Sequence, residues 1–223
     1  MGTAIGTVLP LAVGVAISPI PIIAAILMLL TPQAGRTATS FAVGWVLGIA
    51  AAFAVFVVLA DALGLGGGSG GSAAGTTIKV LLGVALLGLA VKQWRGRPAP
   101  GEEAAMPGWL QAIDKVTPGK AVGLGFALAA VNPKNLLMIV GAAVAVAQLD
   151  VSGATIVVTG IVFTVLAGCT VAVPVIAYFA ARERATAWLQ ELKAWLVANN
   201  AAVMAVLLLV IGVVMISKAL TAG

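Results

Sequence analysis

Histidine is absent from this sequence, and cysteine occurs only once, at Cys169. Without histidine, the chain cannot build a histidine-based metal site, proton relay or catalytic triad. A single cysteine cannot form an intramolecular disulfide or a two-thiol redox centre. Carboxylate or hydroxyl chemistry remains possible, but the acids are few and fall in loops or at helix ends. We expect a protein that is not an enzyme and that uses neither a metal nor another cofactor.

Charged side chains are also scarce: they make up 9% of the 223 residues, whereas 62% are hydrophobic and the mean hydropathy is +1.18. Soluble domains carry about 25% charged residues, and a soluble fold of this size would leave much of its apolar surface in water. A bilayer accepts that surface, and one spanning helix needs roughly 20 apolar residues. The composition therefore predicts an all-α integral membrane protein.

Six apolar runs account for six predicted transmembrane helices. They cover residues 3–30, 39–60, 76–91, 121–147, 154–181 and 201–216. The first run has no basic segment before it and is longer than the apolar core of a secretory signal peptide, so we expect it to be retained.

Three segments between the runs differ from them in composition. Residues 66–72 are a Gly/Ser-rich, flexible linker. The polar stretch 92–120 contains four prolines, which favours an irregular loop with a short interfacial helix at 109–116. Residues 182–197 repeat Trp and Leu at helical spacing. This pattern predicts either an amphipathic helix in the headgroup plane or a cytosolic extension of the fifth helix.

The distribution of Lys and Arg predicts the orientation in the membrane. Nine of the twelve basic residues fall in the loops after the first, third and fifth helices, whereas only Lys79 and Lys218 fall on the other side. Cytoplasmic loops are enriched in Lys and Arg. We therefore expect those three loops in the cytoplasm and both termini outside. The net charge of +5 has the same origin and does not indicate nucleic-acid binding.

Three spans on each side of the large loop suggest two halves that enter the membrane in opposite directions. Such inverted repeats are common in secondary transporters. The predicted organisation is a single transmembrane domain, 1–223, made of a three-helix repeat at 1–94, a cytoplasmic loop at 95–118 and a second repeat at 119–223.

Each half carries a proline motif near the middle of its first span: Ser-Pro-Ile-Pro at 18–21 and Asn-Pro-Lys-Asn at 132–135. Proline removes a backbone donor and interrupts a helix, and such a break is tolerated at this depth only inside protein or beside a wet cavity. Two breaks at matching positions point to a substrate site between broken helices 1 and 4. The alternative is a pair of structural kinks. The predicted substrate-binding residues are Ser18, Pro19, Pro21, Asn132, Pro133, Lys134 and Asn135.

Lys134 is the only charged residue expected near mid-membrane, since all seven acids fall in loops or at helix ends. A charge there costs at least about 2.5–3.5 kcal/mol. We expect Lys134 to snorkel to an interface, face a wet cavity or meet an anionic ligand. In addition, Pro174 predicts a third break, in the fifth helix, and Gly44 and Gly48 predict close helix packing.

The residues 9–23 around the first motif, the Gly44-Trp45 pair and the segment 132–137 together resemble the peptidoglycolipid addressing protein (GAP) family, whose relatives include sulfolipid-addressing proteins. That family is grouped with the lysine exporter (LysE) superfamily of small six-helix exporters. The resemblance covers nearly the whole chain. It implies a multi-pass protein of the bacterial plasma (inner) membrane that takes part in exporting complex cell-envelope lipids.

Three functions follow as hypotheses. The first is translocation of a cell-envelope glycolipid or another anionic or amphipathic substrate. The second is export of small solutes such as an amino acid or a cation. The third is a non-transporting scaffold for a lipid synthase or a larger exporter. The expected partners are membrane lipids, such a synthase or exporter, and a second copy of the chain in a homodimer.

Overall fold

The computed structural model of the protein describes residues 1–31, 33–65, 73–98 and 108–221. These residues form eight α-helices and one 3-10 helix, which confirms the all-α prediction. The helices are α1 Gly2–Ala16, α2 Pro19–Leu29, α3 Ala34–Ala62, α4 Ala73–Arg95, the 3-10 helix Gly108–Lys115, α5 Pro118–Ala130, α6 Pro133–Ala147, α7 Gly153–Ala180 and α8 Arg182–Thr221. The short helix predicted at 109–116 is this 3-10 helix, whereas the linker 66–72 and the loop centre 99–107 lie outside the described residues.

Four of these helices are individually long and apolar enough to cross a membrane: α3, α4, α7 and α8. Two further pairs pass the same test together: α1 with α2, bent by 52°, and α5 with α6, bent by 61°. Because both bends are well below a right angle, the two halves of each pair advance in the same general direction. Each pair therefore fits one broken span, and the count reaches the predicted six.

Local chemistry explains where the two broken spans are interrupted. Pro19 and Pro133 are the first residues of α2 and α6, the position at which a missing backbone N–H costs least. The preceding residues, Ser18 and Asn132, have ψ angles of 100° and 121°, because a following proline disfavours the helical conformation. The predicted interruption of helices 1 and 4 is thus confirmed.

Residues 182–197 do not form a separate surface helix, and they do not extend the fifth span. They are the first part of α8, a single helix of 40 residues that includes the last span, and the helical conformation is broken before it at Ala181 (φ −152°, ψ 60°). Forty residues rise about 60 Å, twice the roughly 30 Å of a hydrocarbon core. The amphipathic part therefore extends α8 beyond one bilayer crossing. We call residues 182–197 the helical arm; its Leu189 and Leu196 are buried in the core of the protein.

Glycines set the closest helix contacts. A Cβ on Gly44 would overlap the backbone of Val122, and one on Gly48 would lie 2.8 Å from the Phe126 carbonyl oxygen. Small residues of this kind let backbones approach closely. The predicted packing role of Gly44 and Gly48 is confirmed, and their partner is α5.

The outer pair of spans, α4 and α8, meet through Gly83 and Gly212. A Cβ on either glycine would lie about 3 Å from the carbonyl oxygen of the other (3.1 and 3.0 Å). This reciprocal contact lets the backbones of α4 and α8 approach closely.

Contacts between the halves also come in matching pairs. Helix α3 packs on α5 and α6, while its counterpart α7 packs on α1 and α2. Likewise, α4 contacts α6 and α8 contacts α2. Two related three-helix halves would produce this pattern, whereas the repeat boundaries at 94 and 119 stay a prediction.

The orientation can be tested with reporter fusions after residue 223 and within residues 101–107. Six spans and the Lys and Arg distribution predict an extracytoplasmic signal from the first fusion and a cytoplasmic signal from the second. Alkaline phosphatase and a fluorescent protein, each fused at both sites, give opposite readouts and control for expression. Signals from the same side would contradict the six-span topology.

Candidate functional site

The two helix breaks meet inside the bundle. The Ser18 hydroxyl, at the first break, donates a hydrogen bond of 3.0 Å to the Asn135 Oδ1 atom, beside the second break. Both residues are buried, with exposed fractions of 3% and 0%. The predicted approach of helices 1 and 4 at their motifs is therefore observed.

Lys134 bridges the breaks. Its ammonium group donates to the Ile17 carbonyl oxygen at 2.9 Å and to the Ser18 hydroxyl oxygen at 2.7 Å, and the residue is only 4% exposed. Ile17 caps the C-terminal end of α1, where the helix dipole places partial negative charge that favours a cation. The buried charge is thus compensated by a helix end and two neutral oxygens, and it neither snorkels nor faces water in this conformation.

The asparagines satisfy the backbone at the second break. The Asn135 side-chain amide donates to the Leu128 carbonyl oxygen of α5 at 3.0 Å. The Asn132 Oδ1 atom accepts the backbone N–H of Lys134 at 3.1 Å and so caps α6. These bonds replace part of the helical ladder that proline interrupts, as apolar surroundings require.

Thr170 of α7 belongs to the same cluster, although no sequence pattern assigned it a role. Its hydroxyl donates to the Ala16 carbonyl oxygen at the end of α1, at 2.5 Å.

The predicted break at Pro174 is wrong, because α7 runs unbroken from Gly153 to Ala180. The only sequence signal was that Thr170 lies one helical turn before this proline.

The seven predicted residues therefore differ in what they do. Ser18, Asn132, Lys134 and Asn135 make the polar contacts, whereas the prolines shape the backbone. Pro19 and Pro21 are buried and Pro133 is exposed. Because Lys134, Ser18 and Asn135 are almost inaccessible, a ligand could reach them only after the two broken spans move apart. The arrangement is an occluded one.

Residues 8–221 match a protein family described as Sap, sulfolipid-1-addressing protein. The chain belongs to the sulfolipid-1-addressing protein family. The match includes both breaks, Thr170 and all six spans except the first residues of α1. No curated protein and no solved structure matches the chain. The family description confirms the resemblance to the peptidoglycolipid addressing protein (GAP) family, whose relatives include sulfolipid-addressing proteins.

Proposed function

We propose that this protein takes part in moving an anionic or amphipathic cell-envelope lipid across the bacterial plasma membrane, and that it carries out no catalysis. The observation that carries the proposal is the Lys134 bridge between two broken spans. Ionisable residues inside a membrane protein mark substrate pathways, and transporter substrate sites lie near mid-membrane at broken helices. The family description, which names a sulfolipid, fits an anionic substrate.

The bridge suggests how the site opens. Moving the two breaks apart loses the two hydrogen bonds from Lys134, each worth about 1.5–3 kcal/mol for a charged donor, and the bond from Ser18 to Asn135. A sulfate or phosphate oxygen that entered would accept those same donors and repay the cost. A gap of a few kcal/mol between two conformations is what lets a ligand shift their populations.

The surface between α3 and α7 favours a lipid over a small polar solute. A groove of about 470 Å³ lies there, lined by apolar side chains together with Thr164 and Gly160. Val58, Ile161 and Val165, which line it, are exposed on the outside of the bundle. Such a groove accepts an acyl chain from the bilayer. A cationic solute, by contrast, would be repelled by Lys134.

A scaffold for a lipid synthase or larger exporter is the second candidate, and the helical arm favours it. Trp188 and Trp195 of the arm are 46% and 55% exposed, and they lie beyond the length that one bilayer crossing needs. Leu189 and Leu196 hold the arm against the protein core, and the exposed aromatic side chains on its other side suit a partner protein.

Purified protein in vesicles separates the two candidates. We expect vesicles that contain only this protein to move a fluorescent phosphatidylglycerol between leaflets, measured by chemical quenching of the outer leaflet. Protein-free vesicles and a fluorescent phosphatidylcholine are the controls. No movement by the pure protein, together with loss of export in cells by Trp188→Ala/Trp195→Ala, would favour the scaffold.

A further inference from the structure

The two basic residues on the predicted outer face, Lys79 and Lys218, lie together. They come from different spans, α4 and α8, yet both line one small cavity and repel each other electrostatically. Lys79 is half-buried and Lys218 is exposed. Basic residues are rare on that side of membrane proteins, so the convergence of this pair on one cavity requires an explanation.

The cavity suits a small anionic group. Its volume is about 40 Å³, which is room for about three water molecules. The described residues that line the cavity include no Asp or Glu, whereas Thr7 of α1, which also lines it, donates its hydroxyl to the Thr3 carbonyl oxygen. Because Lys79 and Lys218 both line the cavity, a sulfate or phosphate group placed there would be attracted by two positive charges.

An apolar groove adjoins the cavity. It has a volume of about 650 Å³, lies between α1 and α8, and shares Pro10 and Ile211 with the cavity. The far end of the groove reaches Ile17, whose carbonyl oxygen accepts a hydrogen bond from the Lys134 ammonium group. From Thr7 to Ile17 the rise along α1 is about 15 Å, half of the roughly 30 Å hydrocarbon core. The cavity and the groove together therefore span about one leaflet.

We propose that this cavity and groove form one binding site for an anionic lipid, with the sulfate or phosphate group between Lys79 and Lys218 and an acyl chain along α1 and α8. Charge complementarity places the headgroup, and the shared residues place the chain. The site lies on the outer side of the first helix break. Binding of an anionic lipid there does not depend on the proposed function. Only the interpretation that a transported lipid leaves the protein from this site rests on it.

Binding can be measured without transport. Purified protein is delipidated and mixed with phosphatidylglycerol or phosphatidylcholine, and bound lipid is counted by native mass spectrometry. We expect tighter retention of phosphatidylglycerol, and a decrease of about tenfold or more in Lys79→Gln/Lys218→Gln, because charge-assisted bonds to the headgroup are lost. Lys120→Gln, exposed on the predicted opposite face, should bind as the unmodified chain does.

Two further variants keep the test decisive. Lys218→Gln alone changes an exposed side chain and leaves the helix contacts in place, so it should fold and lose part of the affinity. Val206→Trp fills the groove from its exposed side and should lower retention with both lysines present. Equal retention by the double lysine variant would overturn the proposal.

Competition with inorganic sulfate tests whether the cavity binds a lipid headgroup or a free anion. We expect sulfate alone to displace phosphatidylglycerol poorly, since it lacks the chain that fills the groove. Displacement at equal concentrations would make the cavity a free-anion site and overturn the lipid assignment. Export that survives in cells without lipid binding would reject this site alone, whereas binding without any lipid movement would reject the proposed function alone.

Discussion

Lys134→Met should reduce lipid export in cells by about tenfold or more while the protein stays folded, since it removes a charged donor whose bonds are each worth about 1.5–3 kcal/mol. Two contributions to the free energy of unfolding of this variant have opposite signs and nearly cancel. The variant leaves the Ile17 carbonyl oxygen without its donor, at about 1–3 kcal/mol, and it removes a charge that costs at least about 2.5–3.5 kcal/mol at this depth. If Lys134 had no hydrogen-bond partners, its replacement by Met would increase the stability of the protein more, but Lys134 has two acceptors.

The measurement is exported lipid, identified by mass spectrometry, with protein level followed by immunoblot. Lys92→Met removes an exposed lysine and serves as the matched control. Lys134→Arg should give partial export at best, because a planar fork replaces a compact ammonium. Full export by Lys134→Met at normal abundance would exclude Lys134 from the mechanism. If abundance falls, Ser18→Ala, which removes one acceptor of the ammonium and keeps the other, should still lower export.

Gly125→Ala should destabilise the bundle strongly, although it adds one methyl group. A Cβ at this position would overlap the Phe41 carbonyl of α3 and lie 2.8 Å from the Trp45 backbone nitrogen. Backbone atoms of a helix cannot rotate away as a side chain can, so α3 and α5 must separate. Overpacking typically costs about 1–3 kcal/mol, occasionally more, and we expect Tm to fall by about 2–10 °C.

Gly123→Ala is the matched control, two residues earlier on the same helix, with open space where its Cβ would lie. Alanine has the higher helix propensity by about 1 kcal/mol, so this variant should be as stable as the unmodified protein or more so. The readout is thermal unfolding in detergent, followed by tryptophan fluorescence. Equal Tm values for the two variants would show that α3 and α5 are not held at the described distance.

The helix breaks could be predicted from sequence because proline acts locally. The proline ring removes the backbone N–H donor and disfavours the helical conformation of the preceding residue. Neither effect depends on distant contacts. The partner of Lys134 could not be predicted, since the acceptor at Ile17 is a backbone carbonyl 117 residues away and any residue type supplies one. Thr170 was missed for the same reason.

The course of α8 was missed for a different reason. Hydropathy decreases at Asn199 and Asn200, and a span defined by apolar residues stops there. Helix formation, however, depends on backbone hydrogen bonds, and the polar arm contains good helix formers such as Ala, Leu, Glu and Lys. Hydropathy therefore predicts which residues lie in the membrane, but it does not predict where the helix begins or ends.

The Lys134 bridge also restricts how alike the two halves can be. Position 20 of the first motif corresponds to position 134 of the second, and it holds isoleucine. A lysine at both positions would bring two ammonium groups into one buried space, where a pair 4 Å apart repels by about 4 kcal/mol even at an effective dielectric constant of 20. If the halves arose from one ancestral sequence, they had to diverge at this position before a single cation could bridge them, and an assembly of two identical halves could not form the same bridge.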